Sequence, residues 1–256
     1  MTKDITIDNV EVKRSYYESG ALRLETPYVD GKIHGIEKWC YESGVLKQEA
    51  SYKNGKKHGI TKRYYESSTL SWVTPYVNGK RHGIERGYYA SGALWGETPY
   101  VNGEKYGLEK HYYKSGALQY EAPYVTGKKH GIVKYYYESG AIWRETPYVN
   151  GKKHGIAHHF YESGALSWEA PRIDGMQHGI EKYYYESGAL RWETPYVDGK
   201  VHGIDKGYYE TGALYYETPY VDGKMHGIKK LFNNDGANIE CLLLYKEDCE
   251  VASIII

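Results

Sequence analysis

The chain holds little of what usually fills a protein interior: two phenylalanines, three methionines and three cysteines in 256 residues. Cys40, Cys241 and Cys249 are too few and too unevenly placed for a disulfide framework, which points to a reducing compartment. No stretch approaches the roughly 20 apolar residues of a membrane-spanning helix. The opening Met1-Thr2-Lys3-Asp4 lacks the basic-then-apolar pattern of a secretory leader. A cytoplasmic location is the expectation from these absences. Net charge is zero, which removes the global electrostatic argument for nucleic-acid binding. What the chain has instead is tyrosine, 31 of them, with six tryptophans. Such rings bury large areas while keeping a polar edge that can stay wet, which suits a thin sheet better than a deep core.

These rings recur in order. Aligned on the glycine of Tyr16-Tyr17-Glu18-Ser19-Gly20, the sequence repeats every 24 residues nine times without insertion, through Gly44, Ser68, Gly92 and onward to Gly212, and Gly236 opens a degenerate tenth unit. A fixed period of this size signals stacked units that contact mainly their neighbours and present an extended surface. An enzyme needs one unique site, which a ninefold-repeated surface does not naturally supply, so no catalytic residue and no cofactor is expected.

Each unit carries two turn signals, Glu18-Ser19-Gly20-Ala21 and Asp30-Gly31 with their equivalents, separated by short aromatic and β-branched segments that read as strands. Closing the second connection with the later glycine, Gly35, gives a six-residue loop that pairs Val29 with Ile36. That register puts Leu24, Thr26 and Tyr28 on one face with Glu37 and Trp39, and Arg23, Glu25 and Pro27 on the other with Ile36 and Lys38. Proline in eight of the nine units predicts a bulge or open pairing there. The fold class expected is therefore all-β: tandem 24-residue β-hairpin repeats forming one elongated, coiled antiparallel sheet of about 18 strands. Residues 1–14 are expected to contribute a capping strand, with Ile5 to Val12 alternating; 15–238 the repeats; and 239–256 a capping hairpin, from Ile239 to Lys246 and Val251 to Ile256.

The segment Tyr28-Val29-Asp30-Gly31-Lys32-Ile33-His34-Gly35 and its copies resemble the repeat core of MORN proteins. The Tyr-Tyr-Glu-Ser-Gly-Ala-Leu lead-in is similar to the bacterial MORN variant of the family called YwqK antitoxins. Ile36, Ile60 and Ile84 stand where the common pattern often has a further glycine, which favours the variant. The resemblance implies a hairpin-repeat sheet used for binding, with antitoxins, scaffolds and membrane tethers among its proposed uses.

Four columns of residues are candidates for function. The histidines, His34, His58, His82, His130, His154, His178, His202 and His226, invite a metal. Equivalent residues lie two strands apart, about 9.6 Å, too far to share an ion held at about 2 Å, so loop histidines that hydrogen-bond the turn are expected instead. The glutamates from Glu25 to Glu217 share a face with the cations from Lys38 to Lys230, which predicts ion pairing in place of acid/base chemistry. The third candidate is the variable aromatic stripe: Trp72, Trp168, Trp192 and Tyr216 in one column, and Trp95, Trp143 and Tyr215 in the column beside it. Such residues are enriched at interface hot spots, so the stripe is either a partner-binding surface or packing within the ribbon. A protein partner, of the kind a toxin is to its antitoxin, is the expected ligand. The fourth is the basic rim of the long loops, Lys56, Lys57, Arg81, Lys128, Lys129, Lys152 and Lys153, which could draw weak anionic-lipid binding or serve solubility.

Overall fold

A computed structural model describes residues 10–256, in two compact units, Met1–Lys128 and Lys129–Ile256. Both are all-β, each an antiparallel sheet built of repeated hairpins, as the period predicts.

One repeat shows how. A turn over Tyr17-Glu18-Ser19-Gly20 is closed by the Gly20 amide donating to the Tyr17 carbonyl at 3.0 Å, and Gly20 takes φ of 85°. The long strand Leu22–Val29 follows. Asp30 and Gly31, with φ of 50° and 73°, then make the two-residue turn with both central residues left-handed that matches strand twist. Val29 therefore pairs with Lys32, and Tyr28 with Ile33, in place of the expected Val29 to Ile36 pairing. After the short strand Lys32–Ile33 the chain bulges at His34 and resumes as Gly35–Cys40, where Glu25 pairs with Lys38 and Leu24 with Trp39. The slip is four residues at the turn and two beyond the bulge, both even numbers, so most expected faces survive it.

The gap in the ladder beside this bulge has a visible cause. Pro27 cannot donate to the ladder, its carbonyl accepts from the His34 amide at 3.0 Å, and a Cβ on Gly35 would sit 3.3 Å from the proline ring. The second repeat is the natural control, because Ser51 stands there instead of proline. The ladder closes there but the bulge stays: Lys56–Tyr64 is one continuous strand and Ala50 pairs with Thr61, while the register still shifts between Ala50 and Tyr52.

A second bulge shifts the register beside the tight turn. Trp39 pairs with Gln48 and Cys40 with Leu46, which leaves Lys47 opposite no partner. The same occurs at Arg23, Ser71, Trp95, Gln119, Trp143, Ser167, Arg191 and Tyr215. An extra residue re-aims its side chain, and here it corrects the expected placing of Arg23 and its equivalents on the far face. Arg23 lies over the Tyr17 ring and Lys47 over Tyr41, on the face of Leu24.

The two faces differ in character. On the first, small buried residues, among them Thr26, Ala50, Thr74, Ala122, Thr146 and Ala170, form a floor that tyrosine and tryptophan rings cover. The second carries the expected pairs, such as Lys62 with Glu49 at 2.9 Å and Lys182 with Glu169 at 3.2 Å, alongside half-exposed isoleucines. Successive repeats are stapled through tyrosine hydroxyls. Tyr41 donates to the Tyr64 carbonyl, Tyr65 to Tyr88, Tyr161 to Tyr184 and Tyr185 to Tyr208, all within 2.7 to 3.0 Å.

At the start, Val10–Tyr16 pairs with Leu22–Val29, and the part of the expected capping strand before residue 10 lies outside the described residues. At the end, Ile239–Lys246 pairs with Cys249–Ile255 across Glu247 and Asp248.

Candidate binding surface

The second bulge brings both aromatic columns onto one face. In the first unit Trp72 and Trp95 have ring centroids 5.5 Å apart, Trp95 stacks on His111 at 4.7 Å, and His111 meets Tyr120 at 5.1 Å. Both tryptophans lie over Gly87, whose Cβ would come within 2.6 Å of Trp72 and 2.8 Å of Trp95. A side chain there would push the rings apart. The second unit continues the pattern on its own: Trp143 contacts Tyr135 and His159, His159 lies 4.4 Å from Trp168, and Tyr183 lies 4.4 Å from Trp192. Tyr215 and Tyr216 meet edge to face at 5.6 Å, with Tyr216 over Gly207. Trp143 and Tyr215 keep 40% and 46% of their surface exposed. The rings thus pack along the sheet and still present one side to solvent.

Beneath them lies a carboxylate row that sequence reading missed. Glu37, Glu85, Glu109 and Glu181 are all buried. Each is held by donors: Thr26 and the Trp39 indole on Glu37, Thr74 on Glu85, and the Trp168 indole, at 2.6 Å, on Glu181. Two of the loop cations also turn inward onto this row, Arg81 to Glu85 at 3.6 Å and Lys105 to Glu109 at 2.7 Å. Burial pushes the Glu109 carboxyl up, but hydrogen bonds from His111 and Lys105 outweigh it and hold the group at about 2. Burial and the Glu181 charge push the Tyr196 phenol to about 12. The signal for this row was the i, i+4 spacing of Arg81 with Glu85 and Lys105 with Glu109, repeated at the 24-residue period.

The basic rim is split by the same geometry. Lys57, Arg81 and Lys129 lie 5.0 to 5.4 Å from the ring centroids of Tyr76, Tyr100 and Tyr148. Lys153 is half-buried on that face as well. Of the expected set Lys56, Arg81, Lys128 and Lys152 are exposed, Arg81 while it reaches over Tyr100. The rim is therefore a thinner positive edge than the sequence suggested.

The histidines hold turns. Nδ1 of His58 accepts from the Asn78 amide and Nδ1 of His82 from that of Asn102, both at 3.5 Å, each reaching the turn of the following repeat. Later copies meet a carboxylate there, His178 with Asp198 at 3.4 Å. Among the described residues no three histidine, cysteine or acidic side chains gather as metal ligands, and no helix is long and apolar enough to cross a membrane.

Hairpins of constant length with a shared aromatic face define an array of repeats built for binding. The chain belongs to the MORN repeat variant family, whose model matches six segments of 22 residues, 33–54, 81–102, 105–126, 129–150, 177–198 and 201–222, 132 of the 256 residues in all. The span 153–174 falls between two of these matches. No curated protein matches the chain.

Proposed function

We propose that this is a non-enzymatic cytoplasmic protein that binds another protein through the aromatic face, acting as an antitoxin or immunity protein that neutralises a toxin by direct contact. The observation that carries the reading is the arrangement of Trp143, Trp168 and Trp192. They follow one another along the sheet with His159 and Tyr183 between them, yet Trp143 keeps 40% of its surface exposed, the state of an aromatic anchor awaiting a partner. Antitoxin action is suggested by the Tyr-Tyr-Glu-Ser-Gly-Ala-Leu lead-in alone.

The test is calorimetric titration of the partner encoded beside this gene, or of one captured from the native host. Trp143→Ala, Trp168→Ala and Trp192→Ala should each weaken binding by about 2 kcal/mol or more while leaving circular dichroism melts nearly unchanged. Variants that melt early but bind normally per folded molecule would make the stripe interior packing. Exposed Lys56, Lys128 and Lys152 support a second reading, a tether on anionic lipid. Co-sedimentation with anionic liposomes that fell steeply with salt would favour the tether over the antitoxin.

A further inference from the structure

In the second unit Val133, Ala157 and Lys229 stand in the carboxylate row where the other repeats have an acid, and at Ala157 cations gather. Where Arg81 and Lys105 meet a glutamate four residues on, Lys153 meets Ala157, which is buried. The neighbouring column, otherwise tyrosine from Tyr28 to Tyr220, carries Arg172 here and only here. Arg144 supplies a third cation. The register joins them: Arg144 pairs with His159, Lys153 with Tyr148, and Arg172 with Gly155, so all three rise from adjacent strands of one face.

Among the described residues no carboxylate lies within ion-pair distance of Arg144, Lys153 or Arg172. The protein answers only part of their hydrogen-bonding capacity. Arg144 Nε donates to Thr146 Oγ1 at 3.1 Å and Arg172 donates through one terminal nitrogen to the Gly175 carbonyl at 3.3 Å. The buried Arg172 Nε and the buried His159 Nε2 have no partner. The nearest acid of the row, Glu181, is engaged by the Trp168 indole and the Tyr183 hydroxyl. Burial, then the charges of Arg144, Arg172 and Lys129, lowers the Lys153 ammonium, and burial with Arg144 and Lys153 holds His159 at about 4. Burial is the larger cause of both shifts, and the neighbouring cations add to it.

We propose that Arg144, Lys153 and Arg172, beside His159 and flanked by Trp143 and Trp168, form a binding site for a carboxylate group that an acidic side chain of the partner protein supplies. The other repeats name the ligand chemistry, since the group missing beside Ala157 is the one Glu85 and Glu109 provide to the equivalent cations. Two guanidiniums add forked donors suited to carboxylate. The cost of three facing cations in the free protein is offset when the anion arrives. The site rests on the reading of this face as the partner surface, and fixes where an aspartate or glutamate would be seated on it.

The experiment titrates the full chain with succinate at pH 7 and constant ionic strength, following tryptophan fluorescence and the His159 ring signals by NMR. Wild type should show a saturable response confined to residues 144–172, with the His159 pKa rising by at least one unit. Arg172→Tyr, the residue of the other repeats, should weaken binding at least tenfold. Ala157→Glu should abolish it and raise the melting temperature, because the chain then supplies its own carboxylate. An absent response in wild type, an unchanged one in Ala157→Glu, or phosphate binding in preference to succinate would overturn the assignment. Succinate binding combined with tryptophan variants that capture the partner normally would sink the partner-surface reading and leave the carboxylate site standing.

Discussion

Replacing Tyr185 by phenylalanine removes one oxygen and one hydrogen bond, the 3.0 Å contact from the hydroxyl to the Tyr208 carbonyl of the next repeat. The ring stays in place, so the loss is that of a partly buried hydrogen bond, about 1 kcal/mol net. In an array where each unit contacts its neighbours, the loss should be felt locally. Native-state hydrogen exchange resolves this, because it reports opening amide by amide. Amides of 203–209 should exchange about fivefold faster in Tyr185→Phe, the factor equivalent to about 1 kcal/mol, while those of 131–136 stay at wild-type rates. The triple variant Tyr137→Phe, Tyr161→Phe, Tyr185→Phe removes three equivalent staples. Spaced about 9.6 Å apart, they should add to about 3 kcal/mol. Unchanged exchange at 203–209 would show that the hydroxyls merely swap the carbonyl for water. A uniform rise through the second unit would mean that it opens as a whole, and the nearest-neighbour argument would fail.

The remaining outcomes concern acid and backbone. Glu109 is held near 2 against an ordinary 4.5, so its contribution is fully present above pH 4.5 and is lost as pH falls towards 2. Two and a half units set a ceiling of about 3 kcal/mol, and solvent screening leaves about 1 to 2; urea melts between pH 5 and 2 should therefore fall less steeply for Glu109→Gln, and parallel slopes would refute the assignment. Ser51→Pro should split the strand Lys56–Tyr64 as in the other repeats and speed exchange of the Thr61 amide, whereas an intact Ala50 to Thr61 pairing would show that proline does not open the ladder.

Much of this fold was legible because the period, the glycines and the prolines are local signals. Asp30-Gly31 marked the turn, but reading it as the start of a six-residue loop misplaced the pairing by four at the turn and by two beyond the bulge, since a two-residue turn followed by a bulge spans the same stretch of chain. The faces survived because the pleat repeats every two residues. The bulge at Arg23 and its copies did not, since nothing in its residue types marks it: arginine, serine, tryptophan and glutamine all occupy it. The buried carboxylates escaped notice because glutamate in mid-strand reads as solvent-facing, and only Glu85 and Glu109 are betrayed by a cation four residues earlier. Of the carboxylate-site residues, Arg172 was legible as a departure, arginine in a column of tyrosines, whereas Ala157 stands in a column that Thr61, Val133 and Lys229 also interrupt.

The bulge beside the tight turn separates two jobs that a regular strand must combine. A residue in the ladder is judged twice, for how its backbone pairs and for what its side chain shows; the bulged one answers only for the second. The string Arg23, Lys47, Ser71, Trp95, Gln119, Trp143, Ser167, Arg191, Tyr215 is in that sense a line of writing on a page whose ruling stays fixed. A designer could rewrite one letter, or transplant a whole 24-residue hairpin with its letter, and change what the face says without disturbing the register beneath.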